Sequence, residues 1–130
     1  MRKIKSFKDL HVYQESLNLL NNLYEIAYRI PHIKLRSQLI NSGEAIAPLI
    51  AEGYAKQRNP LEAARFYEMA MTESDEVTVH LTKALILSRR FSRIPVGRCK
   101  ELKEKYVSLA KQLNKLSSTW RKFSQNRKSD

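Results

Sequence analysis

Glu73, Glu76 and His80 fall within two helical turns of one another, and His11 lies four residues before Glu15. Carboxylates and imidazoles at such spacings are the raw material of a metal centre. A di-metal site in a helical bundle needs Glu-x-x-His on two helices and a further carboxylate on each of two others. Here the residue three before His80 is Val77, and no second full motif exists. We therefore expect no metal and no cofactor, and read these pairs as solvated acidic surface with local His–Glu contacts. Cys99 is the single cysteine. Arg98 and Lys100 beside it would lower its pKa somewhat, yet nothing pairs it with a histidine, so we read it as structural. Gly43, Gly53 and Gly97 stand too far apart for a phosphate-binding loop. No hydrolase arrangement of serine and histidine is recognisable. The expectation is a protein without catalytic activity.

The basic residues are the stronger signal. The chain carries 24 Lys and Arg against 13 Asp and Glu, for a net charge of +11. Residues 1–82 are neutral, with ten bases and ten acids, so the whole excess belongs to residues 83–130. Lys83, Arg89, Arg90, Arg93, Arg98, Lys100, Lys103 and Lys105 gather where a third helix would hand over to a fourth. Lys111, Lys115, Arg121 and Lys122 continue along the fourth. Such asymmetry points to a polyanionic partner, contacted through phosphates with little sequence preference and strong dependence on salt. Trp120 and Phe123 beside Arg121 and Lys122 could stack on bases, but their heptad position favours core packing. The competing reading is a basic face that only solubilises a structural or assembly protein.

Four long helices must position these residues. With 130 residues the chain forms one domain, and 3 Gly with 4 Pro are too few turn-formers for a many-stranded β fold. Ser6-x-x-Asp9 has the form of a capping box opening the first helix. Leu10, Tyr13, Leu17, Leu20, Tyr24 and Ala27 follow at helical spacing, with Val12, Leu19 and Ile26 as a second series. Together they cover about half the helix circumference, wide enough for a second contact with another subunit. Pro31 closes this helix.

The second helix is expected over 34–55, with Leu35, Leu39, Ile46, Leu49 and Ile50 inward, a kink at Pro48 and fraying at Gly53. Asn59-Pro60-Leu61-Glu62 reads as the cap of a third helix running to Arg90, with Phe66, Met69, Val77, Leu81, Ala84 and Leu85 or Ile86 inward. After Ile94-Pro95-Val96-Gly97, a fourth helix shows the seam Leu102, Tyr106, Leu109, Leu113, Leu116, Trp120 and Phe123. The fold class is all-α, an antiparallel up-down four-helix bundle over residues 1–123, with a polar, disordered tail over 124–130. No apolar run reaches the length of a signal peptide or a membrane span, so a cytoplasmic protein is expected.

Several local motifs also resemble one family. Ser6-Phe7-Lys8-Asp9-Leu10-x-Val12-Tyr13-Gln14 is similar to the opening of the 23S rRNA intervening-sequence proteins, or four-helix bundle proteins. Ile30-Pro31 with Leu35-x-Ser37-Gln38-Leu39, then Ile50-Ala51-Glu52-Gly53-Tyr54, resemble its second helix. Arg65-Phe66-Tyr67, Ala70, Ser74 and Glu76 resemble its third. One departure is Ala47-Pro48-Leu49, where the family usually carries proline, a small residue and asparagine before Ile-Ala-Glu-Gly. The resemblance implies a small all-α protein without known catalytic activity, often a ring-like homopentamer. It also implies a fold shared with the accessory proteins of diversity-generating retroelements, which bind nucleic acid and a reverse transcriptase. The expected function is a homo-oligomer that binds nucleic acid, RNA before DNA, through the basic third of the chain. A retroelement accessory role with a reverse-transcriptase partner is the alternative.

Overall fold

The computed structural model describes residues 3–129. Among them it contains four α-helices and no strand: α1 His11–Ala27, α2 Ile33–Ala55, α3 Pro60–Leu87 and α4 Val96–Ser129. The capping box forms, with the Lys8 N–H donating to Ser6 Oγ at 3.2 Å and the Ser6 N–H donating to Asp9 Oδ2 at 3.1 Å. It caps a single 3-10 turn, Phe7–Asp9, and α1 proper begins only at His11. At α3 the boundary falls at Pro60 as the pattern predicts, but the Asn59 side chain makes no capping bond. Instead His32 caps α2, its Nδ1 accepting from the Leu35 N–H at 3.1 Å. The α4 helix does not stop at Phe123. It continues to Ser129, while Asp130 of the expected tail lies outside the described residues.

Each helix packs on two neighbours: α1 on α2 and α4, and α3 on α2 and α4, with α3–α4 the most extensive pairing. The buried face of α1 is Val12, Ser16, Leu19, Leu23, Ile26 and Ala27, so the second series holds, while of the series headed by Leu10 and Tyr13 only Ala27 is buried. Leu17 from that series is exposed. Ser16 interrupts the apolar pattern of this stripe between Val12 and Leu19, so the spacing of apolar residues does not reveal it. Its hydroxyl is satisfied locally by donating to the Tyr13 carbonyl at 2.7 Å, so it can be buried without an unpaired group.

On α3 the buried stripe is Ala63, Tyr67, Ala70, Ser74, Val77, Leu81 and Ala84, an unbroken four-three alternation. Met69, expected inside, is exposed, and Phe66 is only half-buried; of the alternatives Leu85 and Ile86, Leu85 packs against the core and Ile86 is exposed. Small side chains win here because α4 lies against this face. Ser74 Oγ donates to the Tyr106 carbonyl at 2.8 Å, and Ser117 Oγ donates to the Ala64 carbonyl at 3.2 Å. Hydroxyls can reach another helix's backbone carbonyls only when the two helices approach closely.

The α4 seam holds for Leu102, Tyr106, Leu109 and Leu113, all buried. Leu116 and Trp120 are half-buried, and Phe123 is 47% exposed, because the core ends before the helix does. Among the described residues no helix is long and apolar enough to cross a membrane.

Gly53 is a packing residue and does not fray α2. A Cβ built there would come within 2.6 Å of Tyr67 Cε1 and 2.9 Å of Cδ1. The Tyr67 ring is fully buried and its hydroxyl accepts from Gln57 Nε2 at 3.3 Å, so it has little freedom to withdraw. Gly53→Ala therefore destabilises the protein by about 1–3 kcal/mol net, although alanine is by itself the better helix former by up to about 1 kcal/mol. Chemical denaturation reads the sign: a stabilised variant would mean that the ring yields.

Candidate nucleic-acid interface

The predicted basic residues separate into four groups. Arg89, Arg90 and Arg93 occupy the connection between α3 and α4, and all three are exposed. That connection is ordered by its own backbone: the N–H groups of Arg90 and Phe91 donate to the Leu87 carbonyl at 2.9 and 3.2 Å. The Ile94 N–H closes a further turn on the Phe91 carbonyl at 3.1 Å, and the Ile94 side chain is buried in the core. The arginines are thus held outward by a turn with an apolar anchor.

Lys100, Lys111, Lys115 and Lys122 form the second group. Their spacings of 11, 4 and 7 residues are close to whole helical turns, so they share the outer face of α4, and all are exposed. The third group flanks α1. Arg98 Nη1 lies 3.4 Å from Glu25 Oε2, and Lys105 joins them in lining a small crevice with Asn22 and Glu101. The fourth flanks α3, where Lys103 lies beside Leu85 and Val107 and Arg121 binds Glu68. Arg121 donates from Nε at 2.7 Å and from Nη2 to the same Oε1, which also accepts from Ser117 Oγ at 3.1 Å. Arg121 is therefore a helix–helix tie, not a free phosphate contact. Lys83 projects from the last turns of α3 and is exposed.

Of the twelve predicted residues, Arg98 and Arg121 form ion pairs, and among the described residues the other ten form none. Trp120 and Phe123 meet edge to face, with centroids 5.1 Å apart and planes at 72°. Trp120 packs against the core as expected, whereas Phe123 does not.

Tertiary contact adds residues that the count along the chain concealed. A depression of about 360 Å³ is lined by His32, Lys34, Leu35 and Gln38 from α2 and its cap, and by Lys83, Ile86 and Leu87 from α3. It brings Lys34, which Arg29 and Arg36 flank in the run 28–36, beside Lys83 at the start of the run 83–100. The first 82 residues sum to zero charge, which hid this local excess. A window count would have found it, since 28–36 contains no acid.

The other candidate chemistries resolve differently. Glu76 Oε2 lies 3.7 Å from His80 Nε2, and no three His, Cys, Asp or Glu among the described residues are grouped to hold a metal ion. His80 is a buried side chain and not part of a solvated face; burial, then the Lys83 charge, hold its pKa down against the pull of Glu76. Burial likewise raises the Glu73 carboxyl, with the Glu76 charge adding to it and a hydrogen bond to Ser42 opposing. Cys99 is fully buried and its thiol is pushed up to about 11. The expected lowering by Arg98 and Lys100 does not occur, because both cations project into solvent while the sulfur faces the core.

These observations define an all-helical protein with exposed arginines on the α3–α4 connection and a lysine stripe along α4. A family model described as 23S rRNA-intervening sequence protein matches residues 8–115. The chain belongs to that family. No curated protein matches it, and no solved structure does.

Proposed function

We propose that the protein is a non-enzymatic, cytoplasmic homo-oligomer that binds nucleic acid, RNA in preference to DNA, through the α3–α4 connection and the outer face of α4. The observation that carries this reading is the exposure of nine of the predicted basic side chains without ion pairs among the described residues, with Lys103 half-buried, in a chain whose first 82 residues are electrically neutral. Unpaired cations on a rigid scaffold contact phosphates and release their counterions, which gives affinity without base readout.

The bundle is read as antiparallel and up-down. Residues early in α3 meet residues late in α4, as in Ala64 with Ser117, and late α1 meets early α4, as in Glu25 with Arg98. Self-association is supported by the face that α1 and α2 leave uncovered. There Tyr13, Leu17, Leu20, Ala47, Pro48 and Ala51 line an open groove, and 43% of Leu17 is exposed.

Purified protein titrated with labelled RNA and DNA across a salt series, with mass by light scattering in the same buffers, tests the reading. Binding from a stable oligomer that weakens steeply with salt is the expected result. Negligible binding at low salt would reduce the basic residues to a solubilising coat and return the protein to a structural or assembly role.

A further inference from the structure

One end of the bundle has a composition unlike the rest of the surface. The segments 28–36 and 83–100, joined across the depression between His32, Lys34, Lys83 and Ile86, hold nine Lys and Arg and no Asp or Glu. Six of the nine are arginine, the cation that both grips phosphate with a planar fork and stacks on flat rings. The same two segments carry five of the eleven large apolar side chains that are exposed among the described residues: Tyr28, Ile33, Ile86, Phe91 and Val96. Apolar surface is therefore concentrated where charge is one-sided. Phe91, 40% exposed, sits between Arg90 and Arg93 on the turn anchored by Ile94. Tyr28, 61% exposed, has the Arg36 guanidinium 5.8 Å from its ring centroid. Arg36 is itself oriented by donating to the Ile30 carbonyl from Nε and Nη2, at 3.1 and 2.8 Å.

We propose that this end of the bundle is a binding site for an unpaired nucleic-acid strand, with Phe91 as a stacking platform for a base and the flanking arginines on the adjacent phosphates. The inference rests on the nucleic-acid reading above and names its substrate class. A duplex offers a protein phosphates and groove edges but keeps its base faces stacked, so an exposed ring among arginines gains nothing from it. A single strand offers phosphates and free base faces together, which is the combination displayed here. Along the chain Arg29 separates Tyr28 from Ile33, Arg89 and Arg90 separate Ile86 from Phe91, and Arg93 separates Phe91 from Val96. A membrane-surface helix would instead gather them into one continuous face.

The experiment compares Phe91→Ala, Tyr28→Ala and Phe91→Tyr with the unaltered protein on an unstructured 20-nucleotide oligouridylate and on a 20-base-pair RNA duplex. Phe91→Ala weakens single-strand binding by roughly 5- to 150-fold, Tyr28→Ala weakens it in the same direction, and both leave duplex binding within about twofold. Phe91→Tyr keeps the ring and keeps the affinity. Thermal melts confirm that the variants fold, as expected for exposed side chains. If Phe91→Ala affects neither probe while both still bind the unaltered protein, the single-strand inference fails and the broader reading stands. If neither probe binds at low salt, the broader reading fails with it. Capture by phosphatidylserine vesicles that is lost in Phe91→Ala, with no loss on oligouridylate, would reassign the site to a membrane surface and overturn the proposal.

Discussion

Replacing Arg89, Arg90 and Arg93 together by glutamate weakens nucleic-acid binding by on the order of 100-fold or more and flattens its salt dependence. At contact distance a single charge pair is worth about 1 kcal/mol through water, and reversal turns each attraction into a repulsion of similar size. Three such changes amount to several kcal/mol before screening, so a hundredfold loss is a low bound at low salt. The slope of log affinity against log salt should fall by about 2 for a single strand and nearer 3 for a duplex, at roughly 0.7 and 0.9 per phosphate. The three side chains are exposed and unpaired, so the fold survives the change and circular dichroism will be unaltered. Unchanged affinity would move the contact to the lysine stripe Lys100, Lys111, Lys115 and Lys122.

The largest stability effect is expected in α4. Leu109 and Leu113 are completely buried, and truncating either to alanine removes apolar burial and leaves a cavity, at a cost of about 2–5 kcal/mol. A domain of this size has roughly 5–15 kcal/mol in total, so Tm should fall by about 10 °C or more. Phe123→Ala, at a position 47% exposed, is the contrasting case and should be close to neutral. The sequence seam places all three residues on one heptad line. Equal costs at Leu109 and Phe123 would mean that something covers Phe123 in solution, and a loss of oligomer mass in Phe123→Ala would identify that cover as another copy of the chain.

The candidate site was partly readable along the chain. The asymmetry between residues 1–82 and 83–130 pointed to the α3–α4 connection, and Arg89, Arg90 and Arg93 are free and exposed there. Arg121 could not be discounted in advance, because its partner Glu68 lies 53 positions away and only the packing of α3 on α4 brings the two together. The acid-free run 28–36, with Arg29, Lys34 and Arg36, was open to a window count, but that Lys34 lies beside Lys83 and Ile86 was decided by the packing of α2 on α3.

Helix number, most helix boundaries and the location of the excess charge follow from the chain alone, since periodicity, proline placement and charge counts are local properties. The inward stripe is legible for α2, at Leu35, Leu39, Ile46 and Ile50, and for α4 as far as Leu113, but only in part for α1 and α3. Leu17 and Met69 lie at acceptable helical spacing yet face solvent, while Ser16, Ser74 and His80 are buried. The preference for Ala63, Ala70 and Ser74 over Phe66 and Met69 arises from how closely α4 approaches. Gly53, legible only as a weak point in α2, proves to be the space that the Tyr67 ring fills. Burial is a property of pairs of surfaces. A single helix carries two or more stripes that could serve, and the choice among them is made by the neighbour that it meets.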